Sequence, residues 1–132
     1  MITTLDKETT KTFLKICHRE INKGNCHFIN RTLNINGRQI NSKQALLDIG
    51  IMNKEQIWNY VLELTENDCI SIEFDHDKKR DNNAEIYIFV KKINEKNVYI
   101  KLTMRKSGII CISFHKSYKK ESEKNGNKNV LL

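Results

Sequence analysis

Proline is absent from this chain of 132 residues, glycine occurs only 5 times, and there is a single tryptophan. The missing proline goes with a wealth of Asn, Lys and Ile, and we read that composition as nucleotide bias rather than mechanism. No run of about 18 apolar residues exists, so no membrane-crossing helix is expected. The N-terminal stretch MITTLDKETTK is polar and lacks the apolar centre of a signal peptide, so a cytoplasmic location is expected. No glycine-rich phosphate loop and no serine-centred nucleophile elbow is present. No internal repeat is found.

The 4 cysteines are scattered among otherwise apolar stretches and read as reduced thiols. Cys17-His18 and Cys26-His27 form a pattern that invites zinc. The spacing matches no standard finger, however, and Cys17 falls on an apolar stripe that excludes its neighbour, so no metal and no cofactor are expected. No activating neighbour is identifiable for Cys111 as a nucleophile.

A chain of this length forms one domain with a modest core. We place that domain at 1–116 and read 117–132 as a polar C-terminal extension, with a short helix at 118–124. The net charge is +7, which favours a polyanion or an acidic protein as partner. A lysine-rich surface kept for solubility is the bland alternative.

Apolar residues at Phe13, Leu14, Cys17 and Ile21 have helical spacing, which predicts a helix over 7–22 between an Asp6 cap and Gly24. Residues 26–31 read as a short strand, and 32–41 as turn-like around Asn36-Gly37. Ser42 caps a predicted helix at 43–49 that stops at Gly50. A third helix, 54–65, follows Asn53, with Gln56 in the capping-box position and a stripe of Ile57, Trp58, Val61 and Leu62. A strand is predicted at 70–74, a charged loop at 75–84, and a further strand at 85–92. The expected fold is α+β: a small antiparallel sheet, a three-stranded C-terminal meander over 85–115 open to extension by one or two strands, backed by about three helices.

The segment from Val98 to His115, VYIKLTMRKSGIICISFH, reads as two strands around a tight turn. Val98, Ile100, Leu102 and Met104 alternate with Tyr99, Lys101, Thr103 and Arg105, so one face is apolar and the other polar. A three-residue loop of Lys106, Ser107 and Gly108 sets Arg105 opposite Ile109 and makes Tyr99 and His115 cross-strand neighbours. A two-residue loop would turn one strand's core face to water. Pairing Phe89 with Tyr99 adds Glu85, Tyr87, Phe89 and Lys91 to the polar face, beside Ser113 and His115.

That set can serve RNA cleavage without a metal. One group must take the proton of the 2′-OH, another must protonate the leaving 5′-oxygen, and cations must stabilise the phosphorane. His115 and Tyr99 can share acid and base, Lys101 and Arg105 can clamp the phosphate, and Tyr87 or Phe89 can stack a base. The competing reading is that Tyr87 and Phe89 pack against a further element while the cations solvate an edge.

In this order of segments the chain resembles the MqsR-like toxins of bacterial toxin–antitoxin systems. The resemblance rests on Ala45–Gly50 (ALLDIG), Leu62–Asp68 (LELTEND), Glu85–Lys91 (EIYIFVK), Val98–Leu102 (VYIKL) and Ile112–His115 (ISFH), and covers most of the chain except the tail. It implies a RelE-type fold and metal-independent cleavage of mRNA, neutralised by an antitoxin encoded in the adjacent gene. It implies catalytic roles for Tyr99, Lys101 and His115, and RNA contacts at Arg105, Ser113, Lys91, Tyr87 and Glu85. The chain departs from the family pattern at Ser71, where members often carry lysine, and at Tyr87, where tryptophan is usual. Lys78, Lys79 and Arg80 are the candidates to replace the missing lysine. Two readings compete with the toxin nuclease: a non-catalytic module that binds RNA or an acidic partner, and a small metal-binding regulator.

Overall fold

The structure is a computed structural model in which residues 7–75 and 84–117 are described. The Asp6 cap, most of the charged loop and the helix expected at 118–124 lie outside those residues. The fold is α+β, as the sequence pattern implies. Helix α1 spans Lys7–Asn22, followed by strands β1 (Cys26–Phe28), β2 (Thr32–Ile35) and β3 (Arg38–Asn41). Helices α2 (Ser42–Leu47) and α3 (Ile57–Val61) lead to strands β4 (Cys69–Asp75), β5 (Ala84–Ile93), β6 (Lys96–Arg105) and β7 (Gly108–Lys116). The main sheet has 5 strands in the order β1-β7-β6-β5-β4. The expected meander β5-β6-β7 is its centre, β4 extends it antiparallel, and β1 extends it parallel to β7.

Several local expectations need correction. The turn-like stretch 32–41 is a second, two-stranded sheet of β2 and β3. Its Asn36 and Gly37 both have positive φ, 54° and 83°, as a tight two-residue hairpin turn requires. Asn41, not Ser42, caps α2, its side chain accepting from the Gln44 N–H at 2.8 Å. The expected 54–65 helix is broken into a 3-10 turn at Lys54–Gln56 and the short α3. The capping box of Asn53 and Gln56 does form. Chain geometry ends α3 early, because Thr65 and Asp68 make a second capping box before β4.

The helices cover one face of the sheet. Phe13 of α1 lies flat on Tyr87 of β5, with ring centroids 3.8 Å apart and planes 8° off parallel. Phe89, Ile100, Leu102 and Cys111 lie fully buried beneath them. Removing a ring such as that of Phe89 would cost about 3–5 kcal/mol.

Two turns fix which residues reach which face. Between β5 and β6 only Asn94 and Glu95 lie outside the ladder, both at positive φ (50° and 66°), and Ile93 pairs with Lys96. The Asn94 amide donates to the Ile49 carbonyl at 2.7 Å, tying the turn to the end of α2. This pairing sets Val90, not Phe89, opposite Tyr99, one residue away from the sequence expectation. Between β6 and β7 the loop is likewise two residues, Lys106 and Ser107, with Arg105 opposite Gly108. The consequence expected of a two-residue loop is avoided by a bulge. Leu102 pairs with Cys111 but Lys101 pairs with Ser113, so Ile112 is an extra residue. From Lys101 outward the register is the one read from the sequence, with Tyr99 opposite His115. Between the bulge and the turn it is shifted by one, so Ile109 and Cys111 join the core while Ile110 faces the other way.

Gly108 has no substitute at this corner. Its φ is 124°, and a Cβ there would fall 2.1 Å from the Asn25 carbonyl oxygen. That carbonyl accepts from the Ile109 N–H at 3.0 Å and starts the pairing of β1 with β7. The absence of a side chain is what lets β1 approach.

Candidate active site

The sheet face opposite the main core carries Tyr99, Lys101, Thr103 and Arg105 from β6, and Ser113 and His115 from β7. Strand β5 contributes Ile86, Ile88 and Val90 to this face rather than the four residues expected of it. The centre of the face is therefore apolar and closed: Ile88 is 5% exposed and Thr103 is 0% exposed. The polar groups gather along β6 and the outer half of β7.

Glu85, Tyr87, Phe89 and Lys91 point to the helix-covered side. Tyr87 is core, its hydroxyl donating to Glu85 at 3.3 Å, and burial pushes its phenol well up. Lys91 lies 3.9 Å from Glu63, beyond α3. The one-residue difference at the Asn94-Glu95 turn moved all four, and for Tyr87 and Phe89 the packing alternative is the correct one. Arg105 is on the expected face but at the wrong end. Six residues of strand separate it from Tyr99, about 20 Å, so both cannot touch one phosphate. Lys101, two residues from Tyr99, is about 7 Å away along the strand. Ser71, the position that departs from the family pattern, is buried opposite Ile88; Lys78, Lys79 and Arg80 lie outside the described residues.

Tyr99 and His115 do meet. Their ring centroids are 6.4 Å apart with planes 22° off parallel. The Nδ1 atom of His115 lies 2.8 Å from the Lys116 carbonyl. A carbonyl only accepts, so Nδ1 carries the proton and Nε2 of the neutral ring presents a lone pair. Burial lowers the His115 imidazole below its ordinary range; the bond to the Lys116 carbonyl opposes this, and the charges of Lys101 and Arg31 add to it. Burial also pushes the Tyr99 phenol up. At neutral pH the pair is thus a neutral imidazole beside a protonated phenol, a base next to an acid.

Arg31 is the residue the sequence reading missed as part of this site. Strand β1 pairs with β7 only as far as Phe28 and Cys111, so among the described residues no strand lies beside the outer edge of residues 112–116. That edge faces a shallow pocket lined by Arg31, Leu33, Ser42 and Ala45 together with Ser113 and His115. The Arg31 backbone is held on both sides by one hydroxyl: its N–H donates to Ser42 Oγ at 2.8 Å, and Ser42 Oγ donates to its carbonyl at 3.0 Å. Nothing in the local sequence marks Asn30-Arg31 as facing a histidine 84 residues later; the parallel entry of β1 brings them together.

Cys111 is fully buried, burial pushes its thiol well up, and its Sγ donates to the Ser113 carbonyl at 3.3 Å across the bulge. It has neither access nor thiolate character. Among the described residues no three His, Cys, Asp or Glu side chains converge as a metal site needs. No helix among them is long and apolar enough to cross a membrane. Comparison with protein-family models, with curated proteins and with solved structures finds no match.

Proposed function

We propose that this protein is a cytoplasmic endoribonuclease, the toxin of a toxin–antitoxin pair, cleaving mRNA by metal-independent acid/base chemistry. The observation that carries the reading is the Tyr99–His115 pair, with the imidazole tautomer set by the Lys116 carbonyl. His115 Nε2 takes the proton of a 2′-OH. The freed 2′-oxygen attacks the adjacent phosphorus, the bond from phosphorus to the 5′-oxygen breaks, and Tyr99 protonates that oxygen. The products are a 2′,3′-cyclic phosphate and a 5′-hydroxyl end. Lys101 and Arg31 supply positive charge where the phosphorane gathers negative charge. Proton exchange through solvent restores both groups.

The net charge of +7 supports a polyanionic substrate, and the sequence resemblance supports the toxin assignment and a cognate antitoxin from the adjacent gene. The test is cleavage of RNA by purified protein in EDTA with analysis of the new ends. Full activity after both Tyr99→Phe and His115→Ala would refute the site. One observation favours a second reading. The cations Lys101 and Arg31 beside the pair also suit a protein that binds RNA or an acidic chain without chemistry, and the absence of cleavage with retained RNA binding would select it.

A further inference from the structure

A cavity of about 690 Å³ is lined in part by Arg31, which also lines the shallow pocket that reaches His115. That is the size of a small-ligand site. Its apolar lining is Phe28, Leu46, Ile51 and Met52, and Met52 is 81% exposed at the surface. Its charged lining is Arg31, Lys43 and Lys54, with no carboxylate among the lining residues. Two of its asparagines have their carbonyl oxygens already committed. Asn41 accepts from the Gln44 N–H at 2.8 Å, and Asn53 accepts from the Glu55 N–H at 2.9 Å. Each keeps its NH₂ and a second lone pair to offer. The cavity therefore presents cations, amides and hydroxyls around an apolar floor.

A ligand that matches is anionic and carries an apolar body with polar groups at its edge. A nucleotide has all three properties: phosphate oxygens, a base with two π faces, and ring nitrogens and carbonyls such as the N7 and O6 of guanine or the O4 of a uracil-type base. Arg31, Phe28 and Ser42 line both this cavity and the shallow pocket that reaches Ser113 and His115. One strand of RNA can thus run from the cavity past Arg31 to the Tyr99–His115 pair. We propose that this cavity is a base-binding subsite, which holds a nucleotide of the RNA strand flanking the one cut. The proposal rests on the nuclease reading for its place in the reaction, but nucleotide binding itself does not.

The experiment has two arms on the full chain. In the first, nucleoside 5′-monophosphates are titrated while backbone amide resonances are followed by NMR. The monophosphates are expected to shift Asn41, Lys43, Met52 and Asn53. The double variant Lys43→Glu/Lys54→Glu, at two exposed positions, is expected to lose those shifts while keeping the wild-type melting temperature. In the second arm, cleavage of an oligonucleotide by the same variant is expected to show KM raised about tenfold or more with kcat little changed. Cleavage of a dinucleotide too short to reach the cavity stays as in wild type. Shifts confined to other residues, shifts produced by an acidic peptide but by no nucleotide, or an oligonucleotide KM the variant leaves unchanged would each overturn the subsite. A wild-type protein that cuts no RNA overturns the nuclease reading instead, and the subsite is then decided by the first arm alone.

Discussion

Replacing His115 by alanine removes the proposed base while leaving Tyr99, Lys101 and Arg31 in place, and replacing Tyr99 by phenylalanine removes only the hydroxyl that is the proposed acid. General acid or base catalysis contributes roughly 10²–10⁴-fold, which is about 3–5 kcal/mol of barrier for each group. Each single variant should lose activity in that range, and because both groups act on one phosphate the double variant should fall little below the worse single one. The pH profile is the sharper test. Protonated imidazole cannot accept, so the rate rises with pH through the His115 transition. Burial, with Lys101 and Arg31 beside it, holds that transition below the ordinary histidine value of about 6.5. Phenolate cannot donate, so the rate falls with pH through the Tyr99 transition, which burial pushes above the ordinary value of about 10. The profile should be flat across the neutral range, with one limb on each side. His115→Ala should abolish the acid limb and Tyr99→Phe the alkaline limb, measured on a fluorogenic RNA in EDTA at fixed ionic strength. An acid limb centred above 6.5, or limbs that survive in the matching variants, would show that these two side chains do not move the protons.

Gly108→Ala should lower stability by about 1–3 kcal/mol from backbone strain alone, a fall in Tm of roughly 4–12 °C, because its Cβ would also strike the Asn25 carbonyl; an unchanged melting curve would show that β1 does not need this approach. Tyr87→Phe should leave cleavage intact, since Tyr87 faces the helices, whereas Phe89→Ala should cost about 3–5 kcal/mol in urea unfolding. A Tyr87→Phe variant that folds but loses activity would return Tyr87 to the site. Of the four thiols, Cys17, Cys69 and Cys111 are buried and Cys26 is half-buried. Burial pushes Cys17 up to about 12, and burial with the nearby Glu55 carboxylate raises Cys26. Titration with a disulfide reagent should therefore label one thiol per native chain, slowly at neutral pH, and all of them in denaturant; rapid labelling of more than one in the native protein would contradict the packing.

The α1 stripe of Phe13, Leu14 and Cys17 and the alternation of β6 were legible because each depends on the period of its own element, 3.6 or 2. The Asn53–Gln56 box was legible because its partners are three residues apart. The β2–β3 hairpin carries a sequence signal of its own, Asn36-Gly37 between Leu33, Ile35 and Ile40. Register between strands was legible only in part. A shift of one residue exchanges every side chain between faces, and two short turns decide it. The Asn94-Glu95 turn has no glycine to announce it and is held by a contact to Ile49, 45 residues away, so the assignment of Glu85, Tyr87, Phe89 and Lys91 to the polar face failed. In the last hairpin a two-residue loop and a bulge at Ile112 compensate each other, so the Tyr99–His115 pairing was right although the loop assumed for it was not.

The amino-acid order by itself determined the α+β class, the central meander, the basic charge and the nearness of a phenol to an imidazole, since all of these follow from local period, composition and one closed turn. Only the tertiary structure decided which side β5 presents, that Arg105 stands about 20 Å from the pair, and that Arg31 stands beside it. Those depend on where the Asn94 amide and the glycine-opened entry of β1 lock distant segments together. Such contacts have no period and leave no trace in the neighbouring residues.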